Sequence, residues 1–373
     1  MNLRAYQATL VAIFCALLCV PGVAMLLRKE PLKIYGVKTV PLPELTSVTQ
    51  WPADFDAYFA ANLGAKRELL QLHNWVGYRL VGDLQSDNVL VGKNGWLYLK
   101  QNLGWESFRS EQPLSRKEAR AWLRALRGAR DFLAEHDAQF LFIIVPSKET
   151  IYPEHLPWSA PRARDQTRLD EMLEVFAASG VPYLDLRAPL LEGRKHAQLY
   201  DRIDSHWNGH GARIGAELTL ERARALLKQP PSWAALDSRL SPRSSWADIP
   251  LILALDGRVT EPSVELVPNQ TRAERIEPPA SVLEPTRKQQ TKMVYKVDDA
   301  SLPRALILRD SFAEGFMPTL SEKFRRTTWL WTHDLDLRLV EREKPDIVIV
   351  EMTERFLSGS PPKLLTRRSR RPR

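Results

Sequence analysis

Residues 140–145 read Phe-Leu-Phe-Ile-Ile-Val, an apolar run with no polar side chain in it. A strand with one wet face alternates apolar and polar residues, so an unbroken run predicts a strand covered on both faces. Similar or weaker runs occur elsewhere in the chain, at 181–186, 305–308, 328–331 and 346–350. Stretches with helical spacing lie between these runs, at 115–136, 164–178 and 211–227. Strands that alternate with helices predict an α/β fold with a mostly parallel sheet and right-handed crossovers.

The clearest helix is predicted at 115–136. Its apolar residues recur three or four positions apart, at Ala119, Trp122, Leu123, Leu126, Ala129 and Leu133. Ser115 and Glu118 have the spacing of an N-terminal capping box. Arginines cover the opposite side, at Arg116, Arg120, Arg124, Arg127 and Arg130. We interpret this basic side as a solvated face, with a polyanion site as the alternative.

Two regions do not show this alternation of strands and helices. Residues 229–303 hold 10 of the 27 prolines and short alternating pieces, which predict a β-rich insertion. Residues 88–98 contain two short apolar strands on either side of Asn94-Gly95, the pattern typical of a β-hairpin.

The N-terminal segment has no charge between Gln7 and Leu27. Its length, about 31 Å as a helix, is enough to cross the core of a bilayer. Residues 1–30 are therefore predicted to be a signal peptide or a membrane anchor, and we favour a retained anchor because the run is longer than most signal cores. Both cysteines, Cys15 and Cys19, lie inside this segment, so no disulfide is predicted for the body that follows.

The remaining boundaries follow from composition. Residues 31–50 are predicted to be a tether, 51–360 the catalytic domain with 229–303 as its insertion, and 361–373 a basic tail. That tail carries +6 of the formal net charge of +8 and has no acidic residue. The body is thus nearly balanced in charge, which argues against a surface built to bind nucleic acid.

A nucleophile is predicted where the strand at 305–308 ends. In a parallel α/β sheet, ligands bind at the carboxyl ends of the strands. Ser311 follows that strand and precedes a helix-like run at 312–324, so free backbone N–H groups there can stabilise an oxyanion. A serine at this place is also a common N-cap, and the position alone does not decide between the two.

A base is predicted about a hundred residues earlier. Asp204 lies two residues before His206, in a loop that precedes a helix. A serine hydroxyl needs a nearby base, and the base needs an acceptor that orients it. A purely structural histidine is the alternative. A metal site formed by Asp204, His206 and His210 is a weaker one, because the zinc-protease motif His-Glu-x-x-His is absent from the sequence.

Together these motifs resemble the SGNH-hydrolase-like proteins of alginate O-acetylation, the AlgJ and AlgX family. The resemblance is carried by Asp204-x-His206-Trp207, an insertion, and then a strand followed by Asp310-Ser311-Phe312. Supporting motifs lie at 91–98, 145–148 and 350–355. It implies a flavodoxin-like three-layer sandwich with a permuted motif order, in which the Asp-His pair precedes the serine.

The resemblance also implies a function. Ser311 is expected to be the nucleophile, His206 its base and Asp204 the residue that orients the base, in a transfer of acetyl groups to hydroxyls of an exported, alginate-like polysaccharide. The expected partners are that polysaccharide and a membrane-bound acyltransferase that supplies acetyl groups, and no cofactor or metal is predicted. The expected location is the periplasm, anchored to or associated with the inner membrane. An acetyl esterase and a non-catalytic polysaccharide-binding or assembly component are the alternatives.

Three further side chains are predicted to bind substrate. Trp207 borders the proposed site and is a candidate for stacking on a sugar, while Lys148 and Arg309 are candidates for anion contacts. Arg309 also departs from the family, which usually has glycine before Asp-Ser. Each of these two cations is equally compatible with an ordinary surface charge.

Overall fold

The computed structural model describes residues 3–27, 40–44, 49–84, 86–100, 104–111, 113–231, 233, 235–244, 247–276 and 292–365. Most of the predicted tether and the tail beyond residue 365 lie outside these ranges. The chain divides into two compact units, one of residues 1–85 with 246–260 and one of residues 86–245 with 261–373.

The helices are α1 Leu3–Leu27, α2 Trp51–Asn62, α3 Lys66–Val76, α4 Gly104–Arg109, α5 Arg116–Glu135, α6 Lys148–Ile151, α7 Arg168–Ser179, α8 Arg187–Gly193, α9 Gly209–Leu226, α10 Asp248–Ile252, α11 Met317–Ser321 and α12 Leu337–Glu343. The strands are β1 Val89–Val91, β2 Leu97–Leu99, β3 Gln139–Val145, β4 Tyr183–Asp185, β5 Ser238–Arg243, β6 Ser263–Pro268, β7 Glu274–Ile276, β8 Lys292–Lys296, β9 Arg304–Arg309, β10 Arg326–Trp331, β11 Leu335–Asp336, β12 Ile347–Thr353 and β13 Leu364–Leu365.

The first unit contains α1, α2, α3 and α10. The segment Tyr6–Met25 of α1 is long and apolar enough to cross a membrane, a property that signal sequences share. Neither α2 nor α3 has a buried residue. Residues 51–85 belong to this first unit. The predicted domain boundaries stay predictions.

The second unit is built on a sheet with the strand order β4-β3-β12-β9-β10-β8-β7 in the described part of the chain. The pairs from β4 through β10 are parallel, and β8 and β7 add two antiparallel strands at one edge. The prediction of a mostly parallel sheet is therefore confirmed. β8 and β7 come from the predicted β-rich insertion, so part of that segment extends the main sheet.

Helices cover both faces of this sheet. On β3, the side chains of Leu141, Ile143 and Val145 join a core that includes α9, while Phe142 and Ile144 join a second core with α5 and α7. The unbroken apolar run arises because both faces are dry, and each fully buried aliphatic side chain contributes about 1.5–3 kcal/mol. This arrangement is the predicted three-layer sandwich.

Two local predictions are also confirmed. Ser115 and Glu118 form the capping box of α5. β1 and β2 pair antiparallel, and Asn94 and Gly95 in the turn have φ of 57° and 79°. Left-handed backbone of this kind favours asparagine and glycine, which explains the signal in the sequence.

Candidate active site

The carboxyl ends of β3, β12, β9 and β10 lie at one edge of the sheet because these strands are parallel. Asp310 and Ser311 follow β9 at this edge. The helix-like run predicted at 312–324 is instead a 3₁₀ turn, Phe312–Gly315, followed by the short α11. Gly315 ends this turn, and its position requires glycine because a Cβ there would lie 2.7 Å from Trp207 Nε1.

Ser311 lies at the position of an N-cap but does not act as one. Its side chain makes no capping hydrogen bond, and its backbone is helical, with φ −71° and ψ −22°. Its Oγ lies 2.7 Å from His206 Nε2 instead. The residue predicted as nucleophile thus contacts the residue predicted as its base, across 105 positions of sequence.

His206 lies in the loop just before α9. Asn208 caps that helix by accepting a hydrogen bond from the N–H of His210. The backbone N–H of His206 donates to Asp204 Oδ1 at 2.9 Å, and Nδ1 of the ring lies 2.8 Å from the same oxygen. A single carboxylate therefore fixes both the backbone and the ring of His206.

Asp204 is 1% exposed, and burial alone opposes its charge. The hydrogen bonds and charge of His206, with the nearby charge of Arg243, outweigh that burial and hold the pKa of Asp204 well below its usual range. The carboxylate is thus charged and can only accept, which places the proton of the neutral ring on Nδ1 and leaves Nε2 to accept the Ser311 hydroxyl proton.

Arg243 was not predicted. It is the last residue of β5, and its Nη2 lies 3.3 Å from Asp204 Oδ2. An arginine in a proline-rich segment carries no local signal of such a contact, since the two residues are 39 positions apart.

Lys148 is placed differently from our expectation. It is 2% exposed, and its Nζ donates to the backbone carbonyls of Asp201, Arg202 and Asp204 at 2.8–2.9 Å. The ammonium also lies over the rings of Trp96 and Tyr98. Lys148 holds the loop that carries the Asp-His pair, so it is not an exposed anion contact.

Trp207 is also buried, at 2% exposure. Its Nε1 donates to the carbonyl of Phe312 at 2.9 Å, and its ring packs against Phe312 and Phe316. The predicted stacking on a sugar is not supported, because both the ring and its N–H are used inside the protein.

Arg309 is 1% exposed and contacts neither His206 nor Ser311 by hydrogen bond among the described residues. Its Nη1 donates to the carbonyl of Asp310 at 3.1 Å and to Glu314 Oε1 at 3.0 Å. The expected anion contact is therefore replaced by contacts within the protein.

A pair of buried acids supports the turn that carries Ser311. Asp310 accepts the backbone N–H groups of Phe312 and Thr353 and donates its own to Glu351 Oε2. Burial opposes its charge, but His333 and those N–H groups lower the pKa of Asp310 to about 2. Burial, and then the charge of Asp310, raise the pKa of Glu351 well above its ordinary value. The backbone N–H of Phe312, the residue after Ser311, is thus bound to Asp310.

The metal set of Asp204, His206 and His210 is not supported by a shared helical face. α9 begins at Gly209, so His206 precedes the helix and does not share a helical face with His210. The two ring nitrogens of His206 lie against Asp204 and Ser311.

Comparisons with known proteins agree with this fold. Residues 89–329 match a family model described as the SGNH hydrolase-like domain of the acetyltransferase AlgX. A probable alginate O-acetylase AlgJ of Pseudomonas syringae pv. tomato is 30% identical over 129 residues, which are 35% of this chain and 32% of that protein. The AlgJ of Pseudomonas fluorescens is 25% identical over 211 residues, 56% of this chain and 51% of that protein. The chain thus spans about a third to a half of these relatives' length.

Solved structures support the fold. The O-acetyltransferase domain of Pseudomonas putida AlgJ has a TM-score of 0.50 at 20% identity, with 74% of this chain and 93% of that chain covered. Bacillus cereus PatB1 with a sulfonyl adduct has a TM-score of 0.54 at 18% identity, with 73% and 98% covered. The family match spans more than half of the sequence, as the resemblance implied. The chain therefore belongs to the family of SGNH hydrolase-like domains described for the acetyltransferase AlgX.

Proposed function

We propose that this protein is an O-acetyltransferase that moves acetyl groups onto hydroxyls of an exported, alginate-like polysaccharide through an acetyl-serine intermediate at Ser311. The observation that carries the proposal is the continuous series of contacts from Ser311 Oγ to His206 Nε2 at 2.7 Å and from His206 Nδ1 to Asp204 Oδ1 at 2.8 Å. This is the geometry in which a base activates a hydroxyl and a carboxylate orients the base.

In the first half of the reaction, Ser311 Oγ attacks the carbonyl carbon of an acetyl donor while His206 Nε2 takes the hydroxyl proton. The bond from the acetyl group to the donor oxygen breaks, and that oxygen receives the proton from Nε2. Acetyl-Ser311 and the deacetylated donor are the products.

In the second half, a sugar hydroxyl attacks acetyl-Ser311. Nε2 takes the proton of the attacking hydroxyl and returns it to Ser311 Oγ when the acyl bond breaks. In each half-reaction the ring becomes an imidazolium, and the buried charge of Asp204 stabilises it across Nδ1.

The relatives support the substrate class, and the apolar N-terminal helix supports the location. Those at 25–30% identity are described as probable alginate O-acetylases. The apolar helix Tyr6–Met25 supports export or attachment to the inner membrane, with the catalytic unit in the periplasm. There we propose a membrane-bound acyltransferase as the partner that supplies acetyl groups, since attachment to the same membrane raises the effective concentration of the two proteins.

The experiment is incubation of the protein with an aryl acetate and alginate oligosaccharides, followed by mass spectrometry. We expect an acetyl adduct on the intact protein, mapped to Ser311, and oligosaccharides that have gained acetyl groups. An adduct with free acetate as the sole product would identify an acetyl esterase instead. Oligosaccharide binding with neither adduct nor turnover would identify a non-catalytic binding component.

A further inference from the structure

Trp331 is the last residue of β10 and is 36% exposed. Side chains alternate between the faces of a strand, so Trp331 lies on the same face as Trp329. Trp329 is fully buried in the core that also contains Trp207, Phe312 and α9. The exposed indole therefore lies at the carboxyl edge of the sheet, on the face where His206 meets Ser311.

The position of Trp331 relative to the nucleophile follows from the sheet register. Trp331 pairs with Arg309 on the neighbouring parallel strand, and Ser311 is two residues beyond Arg309. With ordinary strand spacing and two Cα–Cα steps beyond Arg309, the Cα atoms of Trp331 and Ser311 are at most roughly 12 Å apart. An exposed ring at that distance is close enough to contact a molecule held at Ser311.

Arg309 fixes this indole from the protein side. Its Cζ lies 4.4 Å from the centroid of the Trp331 ring, the geometry of a cation–π contact. Glu314 and the carbonyl of Asp310 hold the guanidinium in place. Since Arg309 is 1% exposed, the stacked ring is supported from inside while part of its surface stays open to solvent.

We propose that Trp331 is the platform on which a pyranose ring of the acceptor stacks next to Ser311, an inference that rests on the proposed function. The C–H groups on one face of a pyranose form an apolar surface that suits an indole, and a ring already fixed in place loses little conformational entropy on binding. Because Glu314 neutralises Arg309, this subsite recognises the apolar face of a sugar and does not require a carboxylate on it.

Trp158 offers a matched control. It is 91% exposed, and among the described residues no ring or cation stacks against it. Both tryptophans are exposed, but of the two only Trp331 stacks on a cation among the described residues.

The test measures binding without turnover. Calorimetry of the full chain carrying Ser311→Ala is done with an alginate hexasaccharide and with cellohexaose, and then repeated with Trp331→Ala, Trp331→Phe or Trp158→Ala added. We expect Trp331→Ala to raise the Kd of at least one hexasaccharide about tenfold, Trp331→Phe to raise it less, and Trp158→Ala to leave it unchanged.

An unchanged Kd with Trp331→Ala overturns the proposal. So does an equal loss with Trp158→Ala, and so does the absence of binding of either hexasaccharide to the parent protein. Because binding is read in a protein without its nucleophile, these outcomes are independent of whether the wild-type protein forms an acetyl adduct. A failed adduct with a tenfold loss at Trp331 would refute the proposed chemistry and support the sugar platform.

Discussion

The two halves of the site are held by opposite kinds of charge. The loop with Asp204 and His206 is fixed by cations, since Lys148 Nζ donates to three of its carbonyls and Arg243 contacts the carboxylate. The turn with Ser311 is supported mainly by acids, because Asp310 accepts two backbone N–H groups and Glu351 accepts a third. Buried backbone groups need partners, and each half leaves a different kind of group to satisfy.

The residues that support the two halves are mostly different from those that are proposed to react. Lys148, Asp310 and Glu351 act through backbone groups and Arg243 through the Asp204 carboxylate, while the reaction is proposed to pass only through Ser311, His206 and Asp204. Substitutions in the supports are therefore expected to change the stability of one half, whereas substitutions in the contacting side chains are expected to remove activity and leave the fold.

The largest expected effect is on activity, and it involves one residue from each half of the site. Ser311→Ala and His206→Ala should each lower kcat/KM for an aryl acetate by about 10³-fold or more. The double variant should lose no more than the worse single variant, because nucleophile and base act as a unit. Steady-state kinetics measure this, with the melting temperature as the check that the fold is retained. Losses that multiply in the double variant would mean that the two residues work independently.

The next largest effect is on stability, and it concerns the loop that carries Asp204 and His206. Lys148→Met should lower the free energy of unfolding by about 3 kcal/mol or more, because it leaves buried carbonyls without a donor. Lys195→Met is the control: its side chain is 64% exposed, and its loss should change stability by about 0.5 kcal/mol at most. Urea unfolding monitored by circular dichroism measures both. Equal stability of the two variants would show that Lys148 does not support the loop.

Features with a local sequence pattern could be predicted, whereas contacts between distant segments could not. β3, β9 and β12 were predictable because strands with two dry faces keep unbroken apolar runs. Asp204 and His206 were found because they are two residues apart, and Ser311 because it directly follows a strand. The role of Lys148 was missed because its partners lie 53–56 positions away, and no local pattern marks them.

The sequence also could not predict which tryptophan near the site is exposed. Sequence proximity favoured Trp207 as the residue that binds sugar, yet Trp207 is 2% exposed and Trp331 is 36% exposed. Which of two aromatic residues near a site reaches solvent depends on packing between distant segments. In this chain three glycines leave room for Trp207 to pack inside, since a Cβ at Gly211, Gly215 or Gly315 would lie 2.6–2.8 Å from its side chain.

The acids below Ser311 should respond to pH in opposite directions. The folded pKa of Asp310 is lowered, so its stabilisation is present above its unfolded pKa and is lost as the pH falls through about 2. The folded pKa of Glu351 is raised, so its contribution is present at low pH and is lost as the pH rises through that raised value. Asp310→Asn should therefore cost about 2 kcal/mol at neutral pH. Glu351→Gln imitates the neutral acid and should cost little.

Urea unfolding at several pH values between about pH 2 and about pH 8 compares the two variants with the wild type. Asp310→Asn should flatten the loss of stability on the acidic side, and Glu351→Gln should flatten it on the alkaline side. A larger loss at neutral pH with Glu351→Gln than with Asp310→Asn would reverse the charge assignment of this pair.

The smallest expected effect is on the pH dependence of activity. It tests whether the positive charge of Arg243 lowers the affinity of Asp204 and His206 for protons. The side chain of Arg243 is 22% exposed and its contact to Asp204 is 3.3 Å long, so Arg243→Met should change stability by about 1 kcal/mol or less. Removing this positive charge favours proton binding by Asp204 and His206 as a coupled pair, so the acidic limb of the kcat/KM profile should move to higher pH by less than about one unit. Arg243→Lys keeps the charge and should leave the limb in place. Movement to lower pH, or an equal shift in both variants, would mean that Arg243 acts on the shape of the loop and not on its charge.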